Sequence, residues 1–231
     1  MIGKGKSISH GVAALEYDLA KEIDGQAAAT EIARHELYGC TGAEMVQEMK
    51  PYFTDFPNVK NNCLRFEVSP SIEESSSFTD TDWAELGNDF MQRMGLMNHQ
   101  YIIIKHSGTE SKKKQAHLHI LANRISLSGE LYRDNWIGKR ATEAANAIAK
   151  ERDFVQSQDI GKANKAEIKE AMNEVLKKLQ GFDLAKFQEE LGKLGFKVRE
   201  ARASTGKLNG YYVTARSGTE YKASEIGKGY T

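Results

Sequence analysis

The segment Ala116-His117-Leu118-His119-Ile120-Leu121-Ala122-Asn123-Arg124-Ile125 carries the residues best suited to chemistry in this chain of 231 residues. Side chains on a strand alternate between faces, so His117, His119, Leu121 and Asn123 share one face while Leu118, Ile120 and Ala122 take the other. Two imidazoles on one face, two residues apart, can aim their nitrogens at one point. A divalent metal requires that arrangement, and neutral histidine is a good ligand near pH 7. His106 closes the preceding apolar strand, and a turn between the two strands brings its ring within reach of the same point. The spacing also suits hydrogen-bonded histidines that hold no metal, and on spacing alone both readings stay open.

Rival motifs fit less well. A histidine-triad nucleotide hydrolase wants another histidine where Leu121 stands, and a two-histidine phosphodiesterase wants a second matching motif, which is absent. There is no HExxH, paired CxxC, GxSxG, Walker A or GxGxxG context. His10, His35 and His99 have no comparable partners and read as surface or structural residues.

The elements that must position the histidines follow from periodicity. Ile2 to Ile8 reads as a strand, and Gly11 to Glu22 as a helix with Val12, Leu15 and Leu19 at helical spacing. Gln26 to Leu37 and Thr41 to Tyr52 read as two more helices, the second opened by a capping box, Thr41-Gly42-Ala43-Glu44. Asn62 to Ser69 is a strand, and Thr79 to Asp82 starts a helix whose Trp83, Leu86, Phe90 and Met94 form a core-facing stripe. Gln100 to Lys105 and Ala116 to Ser126 pair as an antiparallel hairpin around a polar loop. A helix from about Asn135 to Gln158 follows, then a linker at Gly161, two amphipathic helices and a hairpin of Phe196 to Ala203 with Gly210 to Arg216.

Composition bounds the answer. Hydrophobic residues at 40%, charged residues at 28% and three prolines describe a packed chain, not a disordered or collagenous one. The longest aliphatic run, Ile102 to Ile104, is far too short to span a bilayer, and Met1 to His10 lacks the apolar stretch of a secretory signal. Two isolated cysteines, Cys40 and Cys63, fit a reducing compartment, so the expected location is the cytosol. The formal net charge of +0 argues at first against nucleic acid. It is a sum of unlike parts: residues 1–100 hold 8 basic and 16 acidic side chains, residues 101–192 hold 16 and 13, and residues 193–231 hold 8 and 3. Neutrality therefore excludes only a uniformly basic coat.

Three separated stretches carry a resemblance. They are Met1-Ile2-Gly3-Lys4-Gly5-Lys6-Ser7-Ile8-Ser9-His10 followed by Tyr17, then Gln100 to His106 joined to His117-Leu118-His119-Ile120-Leu121-Ala122-Asn123-Arg124, and lastly Tyr221 to Thr231. Together they resemble the HUH-type relaxases, mobilization nucleases of the MOBP-like group found on mobilizable plasmids and transposons. Two departures stand out. Gly108 occupies the place, two residues after the first histidine, where the family carries Asp, and the loop is longer, with Lys112, Lys113 and Lys114 inside it. Glu110 is the substitute carboxylate. The family's middle motif is matched only by Leu64 to Ser69.

The resemblance implies an α+β fold: a central antiparallel sheet bearing the HxH strand, flanked by helices, over residues 1–160. A helical and β-hairpin accessory region, a candidate for DNA binding, then spans 161–231. It implies a relaxase that nicks one strand at an origin of transfer and keeps the 5′ phosphate on a tyrosine, for conjugative mobilization. In that scheme Tyr17 is the nucleophile, with Tyr38 as runner-up. His106, His117 and His119 hold Mg or Mn, and Asn123 and Glu110 assist. Lys112, Lys113, Lys114, Arg124, Arg199 and Arg202 contact DNA. Expected partners are single-stranded or supercoiled origin DNA, an accessory mobilization protein and a type IV coupling protein, with no membrane insertion and with passage into the recipient cell alongside DNA. The alternatives are a rolling-circle replication initiator and an origin-binding accessory protein that no longer cuts. An early Tyr17, before the histidines, favours the relaxase.

Overall fold

The computed structural model describes residues 1–23, 26–107, 115–179, 181 and 183–230. The chain opens with strand β1 (Ile2–Ile8) and helix α1 (Gly11–Leu19), then two short strands, β2 (Glu22–Ile23) and β3 (Gln26–Ala27), and strand β4 (Ala29–His35). Helix α2 (Gly42–Met49) runs into a 3-10 turn, Lys50–Phe53, and is followed by strand β5 (Cys63–Ser69), the short helix α3 (Ile72–Ser75) and helix α4 (Asp80–Met94). Strands β6 (His99–His106) and β7 (His117–Ser126) and helix α5 (Ile137–Glu151) complete the unit Met1–Ser157.

Local chemistry sets the helix ends. The Thr41 hydroxyl accepts from the Glu44 N–H at 3.2 Å and Glu44 accepts from the Thr41 N–H at 3.0 Å, the capping box expected from the sequence. Thr79 and Asp82 repeat the device at α4, and Gly95, at φ 72°, ends that helix in the left-handed conformation glycine adopts without strain.

The five main strands form one antiparallel sheet in the order β1-β5-β7-β6-β4. Alternation gives it two apolar faces. Leu64, Phe66, Ile103, Leu118 and Ile120 pack against Trp83, Leu86 and Phe90 of α4 and Ala141, Ala145 and Ile148 of α5. Cys63, Ile102, Ile104 and Leu121 face the other way, against Leu15 of α1 and Met45, Val46 and Met49 of α2. The histidines of β7 lie on this second face, so α1 covers them.

Helix α5 sits close on β1 because glycine allows it: a Cβ at Gly3 would lie 2.5 Å from the Ala141 carbonyl oxygen and 2.6 Å from the Ala145 Cβ. Gly3→Val is therefore expected to destabilise the protein by roughly 3 kcal/mol, the upper end for overpacking, since neither wall is a flexible side chain. Urea unfolding checks this as a lowered midpoint with an unchanged slope.

Three expectations from the sequence are corrected. Gln26 to Leu37 is β3 and β4, not a helix, because β4 pairs along β6 from Ala29 opposite His106 to His35 opposite Tyr101. That long-range ladder overrides the helical preference of the alanine-rich stretch. The helix expected to Gln158 stops at Glu151, with Asp153 at φ 54° beyond it. Gly161 is not a linker: it lies inside the next helix, where a single glycine costs only about 1 kcal/mol.

That helix, α6 (Ser157–Lys178), leads into the unit Gln158–Thr231, with helix α7 (Leu184–Lys193), strands β8 (Lys197–Arg202), β9 (Leu208–Thr214) and β10 (Glu220–Lys222), helix α8 (Ala223–Ile226) and a 3-10 turn, Lys228–Tyr230. The expected hairpin is β8 with β9, and β10 adds a third strand, unexpected from the sequence. Its core joins Ile168, Met172 and Val175 to Phe187, Leu191, Phe196 and Val213. Among the described residues no helix is long and apolar enough to cross a membrane.

Candidate metal centre and active site

The hairpin register sets His106 of β6 directly opposite His117 of β7, and strand alternation returns His119 to the same face. One nitrogen from each of the three rings lies within 4.8 Å of the others. Among the described residues this is the one group of three or more His, Cys, Asp or Glu side chains close enough to hold a metal. The His117 and His119 Nε2 atoms are 3.1 Å apart. Adjacent nitrogens on a metal with bonds of about 2.1 Å are separated by about 3 Å, so this pair fits a shared cation.

The remaining ring nitrogens have partners that orient the rings. His106 Nε2 is 2.7 Å from the backbone carbonyl of Asp18, and His117 Nδ1 is 3.0 Å from that of Gln115. A neutral imidazole that gives one hydrogen to a carbonyl keeps its lone pair on the other nitrogen, as a metal ligand must. Beside His119 Nδ1 lie the Asp18 Oδ1 at 3.9 Å and an Arg65 nitrogen at 3.4 Å. Arg65 grips both carboxylate oxygens of Asp18, whose side chain is 1% exposed.

Burial governs the charge states. It pushes His119 down to about 2, with the neighbouring His106, His117 and Arg65 adding to the effect. His106 is also lowered, chiefly by burial, against the Asp18 carbonyl that favours its proton. These two rings therefore stay neutral at physiological pH with lone pairs free for a cation. Burial raises the Asp18 carboxyl, while Arg65 pulls it back toward ionisation.

Tyr17 lies on α1 immediately before Asp18, with 59% of its surface exposed. Lys21 donates to its hydroxyl at 3.3 Å and stands 5.3 Å from its ring centroid. The runner-up, Tyr38, is also exposed, but its hydroxyl donates to Glu36 at 3.2 Å, and that carboxylate holds the phenol above its ordinary range.

Asn123, expected to assist catalysis, and Arg124, expected to contact DNA, have other partners in the structure. Asn123 shares the histidine face, yet four residues at about 3.4 Å each carry it about 14 Å along the strand from His119. There it is fully buried, its amide donating to Gln100 at 3.0 Å and its oxygen accepting from the Ile125 N–H at 2.9 Å. Arg124 clasps the Asp134 carboxylate at 2.6 Å and the carbonyls of Asn61 and Tyr132, three contacts within the first unit. Arg199 is paired with Glu220 and Arg202 with Glu200, both on the surface of the second unit. Glu110, Lys112, Lys113 and Lys114 lie outside the described residues. His99 and His35 are structural: each directs Nδ1 to a backbone carbonyl at 2.9 Å, that of Asn123 and of His99 respectively.

Asp18 and Arg65 escape the sequence reading, although a signal existed. The buried positions of α1 are Gly11, Ala14, Leu15 and Asp18, a stripe turned away from the expected Val12, Leu15 and Leu19. A carboxylate on such a stripe calls for a buried partner.

A family model for the MobA/VirD2-like relaxase nuclease domain matches residues 17–154. No curated protein matches the chain. Among solved structures, the conjugative relaxase TrwC in complex with oriT DNA, a metal-bound structure, is similar at 11% identity with a TM-score of 0.37, over 90% of this chain and 74% of that one. The family match begins at Tyr17, takes in the whole histidine hairpin and ends just past α5, more than half of the sequence. On that extent the chain belongs to the MobA/VirD2-like relaxases and carries their DNA-nicking nuclease domain.

Proposed function

We propose that this relaxase cuts one strand at an origin of transfer, with Tyr17 as the nucleophile, to start conjugative mobilization. The phenol oxygen attacks the scissile phosphorus in line, the bond from phosphorus to the 3′ oxygen breaks, and the 5′ phosphate remains on the tyrosine. The phenol proton ends on the departing 3′ hydroxyl, and because one ester replaces another the strand can be resealed by reversal. The observation that carries this reading is the hydrogen bond from His106 to the carbonyl of Asp18, which ties the histidine cluster to the residue next to Tyr17. The Lys21 ammonium lies beside an oxygen that must bear negative charge as it attacks.

His106, His117 and His119 are the residues that would hold a divalent cation, Mg or Mn. When bound, such an ion supplies a Lewis acid for a phosphate oxygen. Three imidazoles suit Mn by ligand type, and substrate oxygens and waters are the harder donors that Mg prefers. Residues 161–231 are the accessory region in this proposal. A cavity of about 900 Å³ in the second unit, with Tyr211, Tyr212, Arg202 and Lys222 in its walls, supports single-strand binding there by stacking and charge. Arg199 already stacks 4.2 Å over the Tyr212 ring. The enzyme would act in the donor cytoplasm with an accessory mobilization protein, and a type IV coupling protein would pass it on with the strand.

The test is to incubate the full chain with supercoiled and single-stranded DNA carrying its candidate origin, with Mn or Mg. The expected product is nicked DNA with protein on its 5′ end, and peptide mapping places the adduct on Tyr17. An adduct on Tyr38 overturns the nucleophile, and origin binding without any adduct leaves the non-cutting accessory protein.

A further inference from the structure

We propose that Asp18 is the positioning carboxylate of the histidine cluster, fixing its rings and locking the helix that carries Tyr17 to it; this rests on the metal site proposed above. The residue two after His106 is Gly108, which has no side chain to offer. Asp18 reaches the cluster from the opposite direction, from α1, and does so twice. Its carbonyl takes the His106 Nε2 hydrogen at 2.7 Å, and its Oδ1 lies 3.9 Å from His119 Nδ1.

Several observations point the same way. A carboxylate that is 1% exposed must be compensated, and here Arg65 holds both of its oxygens from β5, the strand next to β7 in the sheet. Arg65 thereby fixes the Asp18 side chain and also stands 3.4 Å from His119 Nδ1. A histidine that ligates through one nitrogen is aligned by a hydrogen bond from the other, most strongly when the acceptor is a carboxylate. With His119 Nε2 facing His117 Nε2 at 3.1 Å, its Nδ1 is the nitrogen on the side of Asp18; the 3.9 Å to Oδ1 is an ion-pair distance, and the ring must close by about 1 Å to hydrogen-bond it. The acceptor behind a candidate ligand and the proposed nucleophile thus sit on consecutive residues, Asp18 and Tyr17. Ring alignment and nucleophile placement are then one adjustment, and substitutions at Asp18 must disturb both.

The experiment titrates Mn into the full chain without DNA, for wild type, His119→Ala and Asp18→Asn, with thermal unfolding in EDTA alongside. Asp18→Asn is expected to weaken Mn binding by about 10- to 100-fold, the usual effect of losing a partner behind a ligand, and to lower the metal-free melting temperature because the Arg65 guanidinium loses its charge partner, so binding is measured well below the melting temperature of every variant. Asp18→Glu keeps the charge that pairs with Arg65 and should recover part of the affinity, and nitrogen-15 NMR of the zinc-loaded wild type should show the His119 proton on Nδ1, which a purely structural role of Asp18 does not set. Equal Mn affinity in wild type and Asp18→Asn overturns the role of Asp18 alone. Equal affinity in wild type and His119→Ala overturns the metal site itself. Should Asp18→Asn fail to fold, nitrogen-15 NMR of zinc-loaded wild type decides. The proposal requires the proton of His119 on Nδ1, and metal on Nδ1 refutes it.

Discussion

Tyr17→Phe is expected to abolish nicking and the covalent protein–DNA product while leaving folding and metal binding as they are. The substitution removes one oxygen, the atom proposed to form the new bond to phosphorus. A fall of at least about 10³-fold in cleavage corresponds to ~4 kcal/mol of barrier, with no covalent route left. Stability should change little, because the hydroxyl's partner is Lys21, in an exposed contact at 3.3 Å, and such surface changes stay within about 0.5 kcal/mol. The check is a cleavage assay with denaturing gels and a melting curve on the same sample. Cleavage at the wild-type rate removes Tyr17 from the reaction, and Tyr38→Phe is the control that should cut normally.

His119→Ala should remove metal and cutting together. The ring contributes one of three clustered nitrogens and is the one most strongly held neutral, so its loss strips the site of its best-prepared ligand. The drop in affinity should exceed the about 10- to 100-fold of an outer partner, and metal analysis after dialysis should find the variant empty. The variant should also fold. It deletes a desolvated polar ring and leaves the Asp18–Arg65 pair with its own two contacts intact. Undiminished metal content in the variant would move the site elsewhere.

The histidine hairpin was legible because its signal is local. Alternation over ten residues shows which face His117 and His119 share, and His106 needs only one turn to join them. Strand β4 was not legible, since its alanines favour a helix and only the distant ladder to β6 makes them extended. Asp18 and Arg65 were hidden for a related reason: each reads as a solvated charge until the fold buries one against the other, 47 positions away. Asn123 and Arg124 are the converse case. They fit the family's strand, yet hydrogen bonds to Gln100 and Asp134 commit them to holding the sheet together. A motif names residues that travel together without separating those that react from those that brace.

The strand order has a kinetic consequence. All three clustered histidines lie on β6 and β7, neighbours in sequence, so the loop that brings them together is short and its closure entropy small. Helix α1 follows β1 at one edge of the sheet and precedes β4 at the other, and both edges are sealed by pairings between residues far apart in the chain. Local pairings form fast and distant ones slowly. The hairpin that clusters the histidines is therefore expected to form before the edge pairings that seat the helix carrying Tyr17, which pulse-labelling hydrogen exchange checks as earlier protection of β6 and β7. Loosening from the edges is then expected to displace Tyr17 before it separates the three histidines.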